Sequence, residues 1–265
     1  MGTHRMTYRT ALITGASSGI GEAIARALPK STNLLLTGRN RARLDAVARE
    51  LAGDGRQVAW ETADLGHQGG IDRLIEWATP HAPDLLVNNA GFGRFGKAFA
   101  EVPPDDSDEA IVKVNILAPV ALTRALAPAM LARARAEGRR AGLIFISSTE
   151  AYFPMPYMAT YSASKAFLSA YVEAIATEFR HEPVDLLAVC PGTVRTRFHE
   201  RAHMPIPRFA RLDEPEMVAR VTLAAIGRGT VQFVGWQSRV AVGLAKLLPR
   251  RFTVAAMGRM AESWG

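Results

Sequence analysis

A tyrosine and a lysine four residues apart, with a serine upstream, are the side chains in this sequence best suited to proton transfer. Tyr161 and Lys165 would share one face of a helix. An unperturbed tyrosine titrates near about 10, and a neighbouring positive charge lowers that pKa. Ser148 follows the apolar run 143–146, which predicts a buried strand whose end can direct the hydroxyl into a ligand crevice. The three residues predict acid–base chemistry, although a Tyr-x-x-x-Lys pair alone is usually only a solvated pair on a helix.

The rest of the chain supplies the elements that would position these residues. Seven apolar runs predict strands, at 10–14, 34–36, 57–62, 84–87, 143–146, 184–189 and 231–234. Helical patterns separate the runs, and this alternation implies a mostly parallel sheet with right-handed crossovers. We therefore predict a three-layer, doubly wound α/β fold in one domain over residues 1–265, with about seven strands and helices on both faces. Every candidate functional turn follows a strand, so the turns should meet at one edge of the sheet.

The turn after the first strand has glycines at a spacing that suits a phosphate group. Gly15, Gly19 and Gly21 follow the pattern G-x-x-x-G-x-G, and a helical run begins at Glu22. Glycine lets the backbone approach a phosphate closely, and a helix N-terminus offers unpaired N–H groups to it. A purely structural turn is the alternative. The predicted cofactor contacts here are Gly15, Ser17, Ser18, Gly19, Ile20 and Gly21.

The turn after the second strand carries arginine where many dinucleotide-binding folds carry an acid. Arg39 follows Gly38, and Arg43 lies on the first turn of the next helix. An acid would bind a ribose 2′-hydroxyl, whereas a planar guanidinium suits a 2′-phosphate. We therefore predict NADP rather than NAD, with Arg39 and Arg43 as contacts. Arg41 is assigned to a solvated helix start.

Further predicted site residues follow later strands. Asp64 and Leu65 end the third strand, and Asp64 is either an acceptor for an adenine amino group or a helix N-cap. Residues 88–91 are small enough for a flat ligand to pass over them, or their asparagines tie neighbouring strands together. Asn115 lies in the helical pattern 107–135, which Pro119 and Pro128 should interrupt. Asparagine disfavours helix interiors, so a kink there could hold a water, with a hydrogen-bonded packing residue as the alternative.

Composition narrows the function classes. The net charge is +7, but no nucleic-acid motif occurs and no aromatic residues interleave the basic patches. The single cysteine, Cys190, suits a reducing compartment and falls in an apolar strand, which predicts a buried, inert thiol. No signal pattern and no run of 18 apolar residues is found, so we expect a cytoplasmic protein. His199 and His203 lack a third ligand, so no metal is predicted.

Two segments lie outside the pattern of strands and helices. Residues 197–212 mix apolar and basic groups with little regularity, which predicts a mobile substrate lid. Residues 236–265 form a basic amphipathic extension in which Pro249 should break or kink a helix. Packing within the protein is favoured for this extension, over a partner subunit or a membrane surface.

Taken together, the motifs resemble those of the short-chain dehydrogenase/reductase family across nearly the whole chain. They are the glycine turn 14–21, Asn-Asn-Ala-Gly at 88–91, Ser148, Tyr-Ser-Ala-Ser-Lys at 161–165 and Pro-Gly at 191–192. The resemblance implies a Rossmann fold, Tyr161 as general acid/base, Lys165 as its pKa-lowering partner and ribose ligand, and Ser148 as holder of the substrate oxygen. It implies a proton relay through Asn115. The cofactor contacts that it adds are Asn89, Ala90, Gly91, Tyr161, Lys165, Pro191, Gly192, Val194 and Thr196.

The expected activity is NADP(H)-dependent interconversion of a ketone or aldehyde and an alcohol. The predicted pocket walls, 92–99, 151–157 and 198–209, are apolar and aromatic, so a hydrophobic substrate is expected. The resemblance also implies a homodimer or homotetramer. The alternative is a dinucleotide-binding regulator or scaffold without turnover, including one that associates with a membrane surface.

Overall fold

A parallel sheet of seven strands lies at the centre of the computed structural model, which describes residues 8–96, 101, 107–206 and 211–263. The strands are β1 (Thr10–Thr14), β2 (Asn33–Gly38), β3 (Val58–Thr62), β4 (Leu85–Asn88), β5 (Ala141–Ile146), β6 (Val184–Cys190) and β7 (Val231–Phe233). Their order is β3-β2-β1-β4-β5-β6-β7, and all six pairings are parallel. The order reverses beside β1, so the carboxyl ends of β1 and β4 flank the crevice in which such sheets bind ligands.

Helices cover both faces of the sheet. They are α1 (Gly19–Ala27), α2 (Arg41–Leu51), α3 (Gln68–Ala78), α4 (Ser107–Val112), α5 (Ala118–Glu137), α6 (Ala159–Glu178), α7 (Phe198–Arg201), α8 (Pro215–Ala225), α9 (Trp236–Leu247) and α10 (Arg250–Glu262). One apolar core joins the sheet to α1, α2 and α8, and a second joins it to α3, α5 and α6. β4, β5 and β6 are buried along their whole length, which explains why they appear in the sequence as continuous apolar runs. The predicted three-layer, doubly wound fold is confirmed.

The helical stretch Ser107–Glu137 differs from the prediction. Neither Pro119 nor Pro128 interrupts it: Pro119 lies in the first turn of α5, where proline is tolerated, and Pro128 lies inside the helix. The irregularity is instead a π-helical segment, Lys113–Leu117, between α4 and α5. By length and composition this stretch could cross a membrane, since the mean hydropathy of its most apolar 18 residues is 1.5. However, 44% of those residues are buried inside the protein, and the core helix of a soluble protein can have the same length and composition.

Both segments that lie outside the alternation of strands and helices contain helices in the structure. The segment 197–212, predicted to be irregular, contains α7, and a bridge between Val194 and Asp213 closes its base. Residues 207–210 lie outside the described residues. The C-terminal extension forms α9 and α10, separated at Pro249 as predicted.

Candidate active site

A cavity of about 680 Å³ opens at the carboxyl ends of the strands. Its wall is built from the turns that follow β1 to β6, together with α6 and α7. The predicted site residues that line it are Gly15, Ser17, Ser18, Gly19, Ile20, Arg39, Asp64, Leu65, Asn89, Ala90, Gly91, Ser148, Tyr161, Lys165, Pro191, Gly192, Val194 and Thr196. Gly21, Arg43 and Asn115 are not part of the wall.

The glycine turn has the shape needed for a pyrophosphate. Gly15 and Gly19 have φ values of +67° and +61°, a region that favours glycine. A Cβ on Gly19 would lie 3.0 Å from the Thr196 methyl group, so the glycine keeps this space open. Ser18 precedes the first turn of α1 and makes no side-chain capping bond, which leaves the N–H groups of that turn for an anion. The turn therefore fits a dinucleotide.

Gly21 packs closely against the glycine turn and does not line the cavity, and its cofactor contact stays a prediction. A Cβ at Gly21 would lie 2.6 Å from the Gly15 carbonyl oxygen, so only glycine lets α1 pack this closely against the turn. Asn89 holds the same turn from the other side: its Nδ2 donates to the Thr14 carbonyl at 2.8 Å and to the Gly15 carbonyl at 3.3 Å. Asn89 thus ties β1 to β4 and lines the cavity at once.

Asp64 does not cap a helix, so that alternative is wrong. α3 begins at Gln68, and His67 occupies its N-cap position. Asp64 Oδ1 instead accepts the Gly66 N–H at 3.0 Å, which closes a short turn at the cavity wall. The position of Asp64 agrees with the predicted adenine contact.

A cluster of arginines surrounds the end of β2, and the sequence predicted only part of it. Arg39 lines the cavity, and so do Arg197 and Arg201 at α7. Burial lowers the pKa of Arg201, and the positive charges of Arg197, Arg39 and Arg43 lower it further. Arg201 thus lies near three like charges, in a site that a multiply charged anion would stabilise. Arg41, in contrast, lies over the Trp60 ring at 5.1 Å and outside the cavity wall.

Ser148, Tyr161 and Lys165 are buried together in the cavity wall. The ammonium of Lys165 donates to the Ile146 carbonyl at 2.9 Å and lies 5.7 Å from the Tyr161 ring centroid. Burial lowers the pKa of Lys165 to about 8, although the negative charge of Glu150 acts in the opposite direction. Burial raises the pKa of Tyr161, the charge of Glu150 raises it further, and a hydrogen bond with Ser148 lowers it. The predicted net lowering of the Tyr161 pKa is therefore wrong for this structure, because desolvation dominates.

Glu150 is another site residue that sequence reasoning missed. Its carboxylate lines the cavity and accepts a short hydrogen bond from the Ser148 hydroxyl. Its charge acts on Tyr161, on Lys165 and on His199, where it raises the pKa that burial lowers. The only signal for Glu150 in the sequence was its position two residues after Ser148. In the structure, Glu150 lies in a short 3-10 turn.

Replacing Glu150 with glutamine should shift the pH dependence of alcohol oxidation. The Tyr161 pKa falls when the nearby negative charge is removed, so the phenolate needed for oxidation forms at lower pH. We expect the rising limb of the oxidation rate to move down by about one pH unit. Glu178→Gln, an exposed change on α6, is the control. Coincident profiles for Glu150→Gln and the unmodified protein would show that the carboxylate does not act on the proton transfer.

Asn115 lies behind the cavity in the π-helical segment and is fully buried. Its Oδ1 accepts the Phe92 N–H at 3.1 Å, and its Nδ2 donates to the Phe92 carbonyl at 3.0 Å and to Ser164 Oγ at 2.9 Å. Both N–H groups of the amide are thus used to join the loop after β4 to α6. These contacts agree with the packing alternative for the side chain, and the relay role stays a prediction.

The substrate end of the cavity is only partly as predicted. Phe92, Phe198 and Met204 line it, whereas residues 151–157, all of which are described, do not. Residues 97–100 and 207–209 lie outside the described residues. His199 also lines this end; its buried Nδ1 has no hydrogen-bond partner among the described residues. The wall therefore combines aromatic surface with two polar groups, His199 and Glu150.

Cys190 is a buried residue of β6 outside the cavity wall. Burial raises the pKa of its thiol to about 11. A thiol that stays protonated at neutral pH is a poor nucleophile, as the sequence predicted.

Comparison with known proteins identifies the family. A family model for short chain dehydrogenases matches residues 9–205, and the chain belongs to that family. It is therefore an oxidoreductase with a nucleotide-binding Rossmann fold, as the sequence motifs implied.

Three relatives illustrate the range of the family. An uncharacterised oxidoreductase of Myxococcus xanthus is 30% identical and matches 96% of this chain and 98% of its own length. The structure of a short-chain dehydrogenase from Sphingobium yanoikuyae in complex with NADPH is 26% identical, covers 91% of this chain and 96% of that one, and has a TM-score of 0.76. That of a 3-ketoacyl-(acyl-carrier-protein) reductase from Brucella melitensis, complexed with NADH, is 27% identical, covers 87% and 98%, and has a TM-score of 0.75.

Proposed function

We propose that the protein is an NADPH-dependent reductase of ketones or aldehydes that carry an apolar body. One observation carries this proposal: Ser148, Tyr161 and Lys165 share the wall of a single cavity with the glycine turn that fits a pyrophosphate. A sensor or scaffold without turnover would need only the second of these features. The apolar body is supported by Phe92, Phe198 and Met204 in the wall.

The bound nicotinamide supplies the hydride, and the side chains handle the carbonyl oxygen. The Ser148 hydroxyl, which donates to Glu150 in the structure, would turn to donate to that oxygen, and the Tyr161 phenol gives it a proton. Because burial raises the pKa of Tyr161, the phenol stays protonated at neutral pH, which is the form that reduction requires. Alcohol oxidation needs the phenolate and should gain rate only at alkaline pH. Reduction is therefore the proposed direction at neutral pH.

The preference for NADP rests on the arginine cluster at the end of β2. Arg39, Arg197 and Arg201 line the cavity. Neither position 38 nor position 39 carries a carboxylate that would repel a 2′-phosphate. A guanidinium fork suits a phosphate dianion better than a ribose hydroxyl. The homologous structures with NADPH and with NADH leave both dinucleotides open to the family.

Replacing Arg39 with alanine should weaken NADP binding far more than NAD binding. Loss of charge-assisted hydrogen bonds to the 2′-phosphate should raise the dissociation constant for NADP about tenfold to a hundredfold. The constant for NAD should change less than about threefold. Arg41→Ala, at the exposed arginine over Trp60, is the matched control. Equal weakening of both dinucleotides in Arg39→Ala would contradict the 2′-phosphate contact.

A panel of carbonyl compounds tests the function directly. NADPH and NADH oxidation should be followed with short and long ketones, aldehydes and 3-oxoacyl thioesters, the last class suggested by the Brucella relative. Turnover with NADPH that increases with the apolar length of the substrate would support the proposal. Tight NADPH binding without turnover across the panel would favour the regulator or scaffold. The lid role of residues 197–212, a cytoplasmic location and a homodimeric or homotetrameric state stay predictions.

A further inference from the structure

The C-terminal helices carry a group of large apolar side chains that the described part of the chain leaves exposed. Trp236, Val240, Leu244 and Leu247 recur at spacings of four, four and three, so they share one face of α9. Leu247 is 80% exposed and Trp236 is 68% exposed. Leu248 and Phe252 extend this surface across the turn into α10, and we call the six residues the C-terminal face. They are six of the nine large apolar side chains exposed in the described part of the chain.

The C-terminal face lies in the most one-sidedly charged part of the sequence. Residues 217–261 contain no aspartate or glutamate. The basic residues in this range are Arg220, Arg228, Arg239, Lys246, Arg250, Arg251 and Arg259. Arg250 and Arg251 are exposed beside Phe252, and the Arg251 guanidinium lies 4.9 Å from the Phe252 ring centroid. Apolar side chains bordered by cations complement a bilayer with anionic headgroups.

The inner side of α10 packs against the protein, and Val242 of α9 is buried as well, at 2% exposure. Ala261, Met257 and Met260 pack in the apolar cluster that includes Tyr161. The Tyr157 hydroxyl donates to Glu262 at 3.1 Å. No described residue covers the outward side of α9, so we look for its occupant outside the described part of the chain.

Charge decides against a second copy of the chain as that occupant. In a two-fold dimer the same surface meets itself, so the positive patch that contains Arg239, Arg250 and Arg251 would face the same positive patch of the second copy. No carboxylate between residues 217 and 261 could pair with them. At 12 and 13 residues, α9 and α10 are also too short to cross a bilayer, which takes about 20 residues. Helices of this kind lie in the plane of the membrane surface.

We propose that the C-terminal face binds the surface of membranes that contain anionic lipids. Trp236, Leu244, Leu247 and Phe252 enter the boundary between headgroups and acyl chains, and Arg250 and Arg251 meet the headgroups. The attachment is peripheral and does not depend on the proposed reductase activity.

Vesicle flotation of the full chain tests the proposal. The protein should float with phosphatidylcholine vesicles that contain phosphatidylglycerol, and stay at the bottom of the gradient with phosphatidylcholine alone. Binding should decrease at high salt, because screening weakens the headgroup contacts. If the unmodified protein does not float with anionic vesicles at low salt, the proposal fails.

Matched double variants identify the surface. Leu244→Ser with Leu247→Ser should lower the vesicle partition coefficient about tenfold or more. Leu117→Ser with Phe167→Ser, which removes two exposed apolar side chains elsewhere, should leave it unchanged. The double variant Arg250→Glu with Arg251→Glu should no longer bind anionic vesicles. The double variant Arg49→Glu with Arg73→Glu makes an equal change of charge on α2 and α3, and it should still bind them.

Two results would overturn the proposal even if the protein floats. The first is equal loss of binding in the face and control variants. The second is a change of oligomeric state in Leu244→Ser with Leu247→Ser, seen by analytical ultracentrifugation without vesicles, which would make the face a subunit interface. Circular dichroism of each variant separates these results from misfolding.

Discussion

Tyr161→Phe is expected to lower carbonyl reduction by about 10²–10⁴-fold, the usual contribution of a positioned general acid. The change removes only the phenolic hydroxyl, and the ring keeps its contacts with Phe198 and with the apolar cluster of the substrate end. Because the hydroxyl is the proton donor in the proposed reaction, the loss should appear in kcat, while the dissociation constant for NADPH changes less than about threefold. Turnover by single-substrate kinetics and binding by calorimetry measure the two effects separately.

Tyr171→Phe is the matched control for this substitution. Tyr171 lies on the same helix, α6, and packs against Phe145 and Phe167 outside the cavity wall. It should lose no turnover. If Tyr161→Phe kept its activity, the proton would have to come from another group, and the assignment of the site would fall.

The sequence predicted the sheet and its functional edge well, for a simple physical reason. Parallel strands buried on both faces must be apolar along their length, so β4, β5 and β6 are visible as uninterrupted runs. The ends of such strands meet at one edge whatever the loops do. The turns after β1 and β4 could therefore be assigned to one cavity before any distance was known.

The sequence could not show the contacts between residues that loops bring together. Arg201 and Arg39 are far apart in the chain, and their charges come within range of each other only in the folded protein. Glu150 was passed over because a carboxylate in a short turn has no pattern of its own. Its meaning comes from its contact with Ser148.

The prediction for the Tyr161 pKa was wrong for a different reason. Sequence spacing shows which charge is near, so Lys165 was expected to lower that pKa. Burial has no such local signature, yet it is the largest influence on both residues. Asn115 shows a similar limit of sequence patterns. Its low helix propensity predicted an irregularity at this point, but not that the irregularity would be a π-helical segment.

Lys165→Met is the second substitution with a large expected effect, because it removes a buried charge and keeps most of the side-chain volume. The ammonium is 4% exposed and is held by the Ile146 carbonyl at 2.9 Å. Without this cation the phenolate form of Tyr161 loses its nearest positive charge, so alcohol oxidation should fall by about 10²-fold or more. Lys30→Met, at an exposed lysine, should leave the rate unchanged.

Stability should respond to Lys165→Met in the opposite sense, and the pH dependence shows why. Burial lowers the pKa of Lys165 to about 8 in the folded protein, below the value of about 10.4 for an unfolded chain. The cost of burying the ammonium is therefore fully present below pH 8 and is relieved as the pH rises from about 8 to about 10.4. Lys165→Met avoids this cost, so its gain in unfolding free energy over the unmodified protein should be largest near neutral pH and shrink toward pH 10. Denaturant unfolding of both proteins without cofactor, at several pH values, measures the difference. A difference that stays constant with pH would mean that Lys165 is not the desolvated base its surroundings imply.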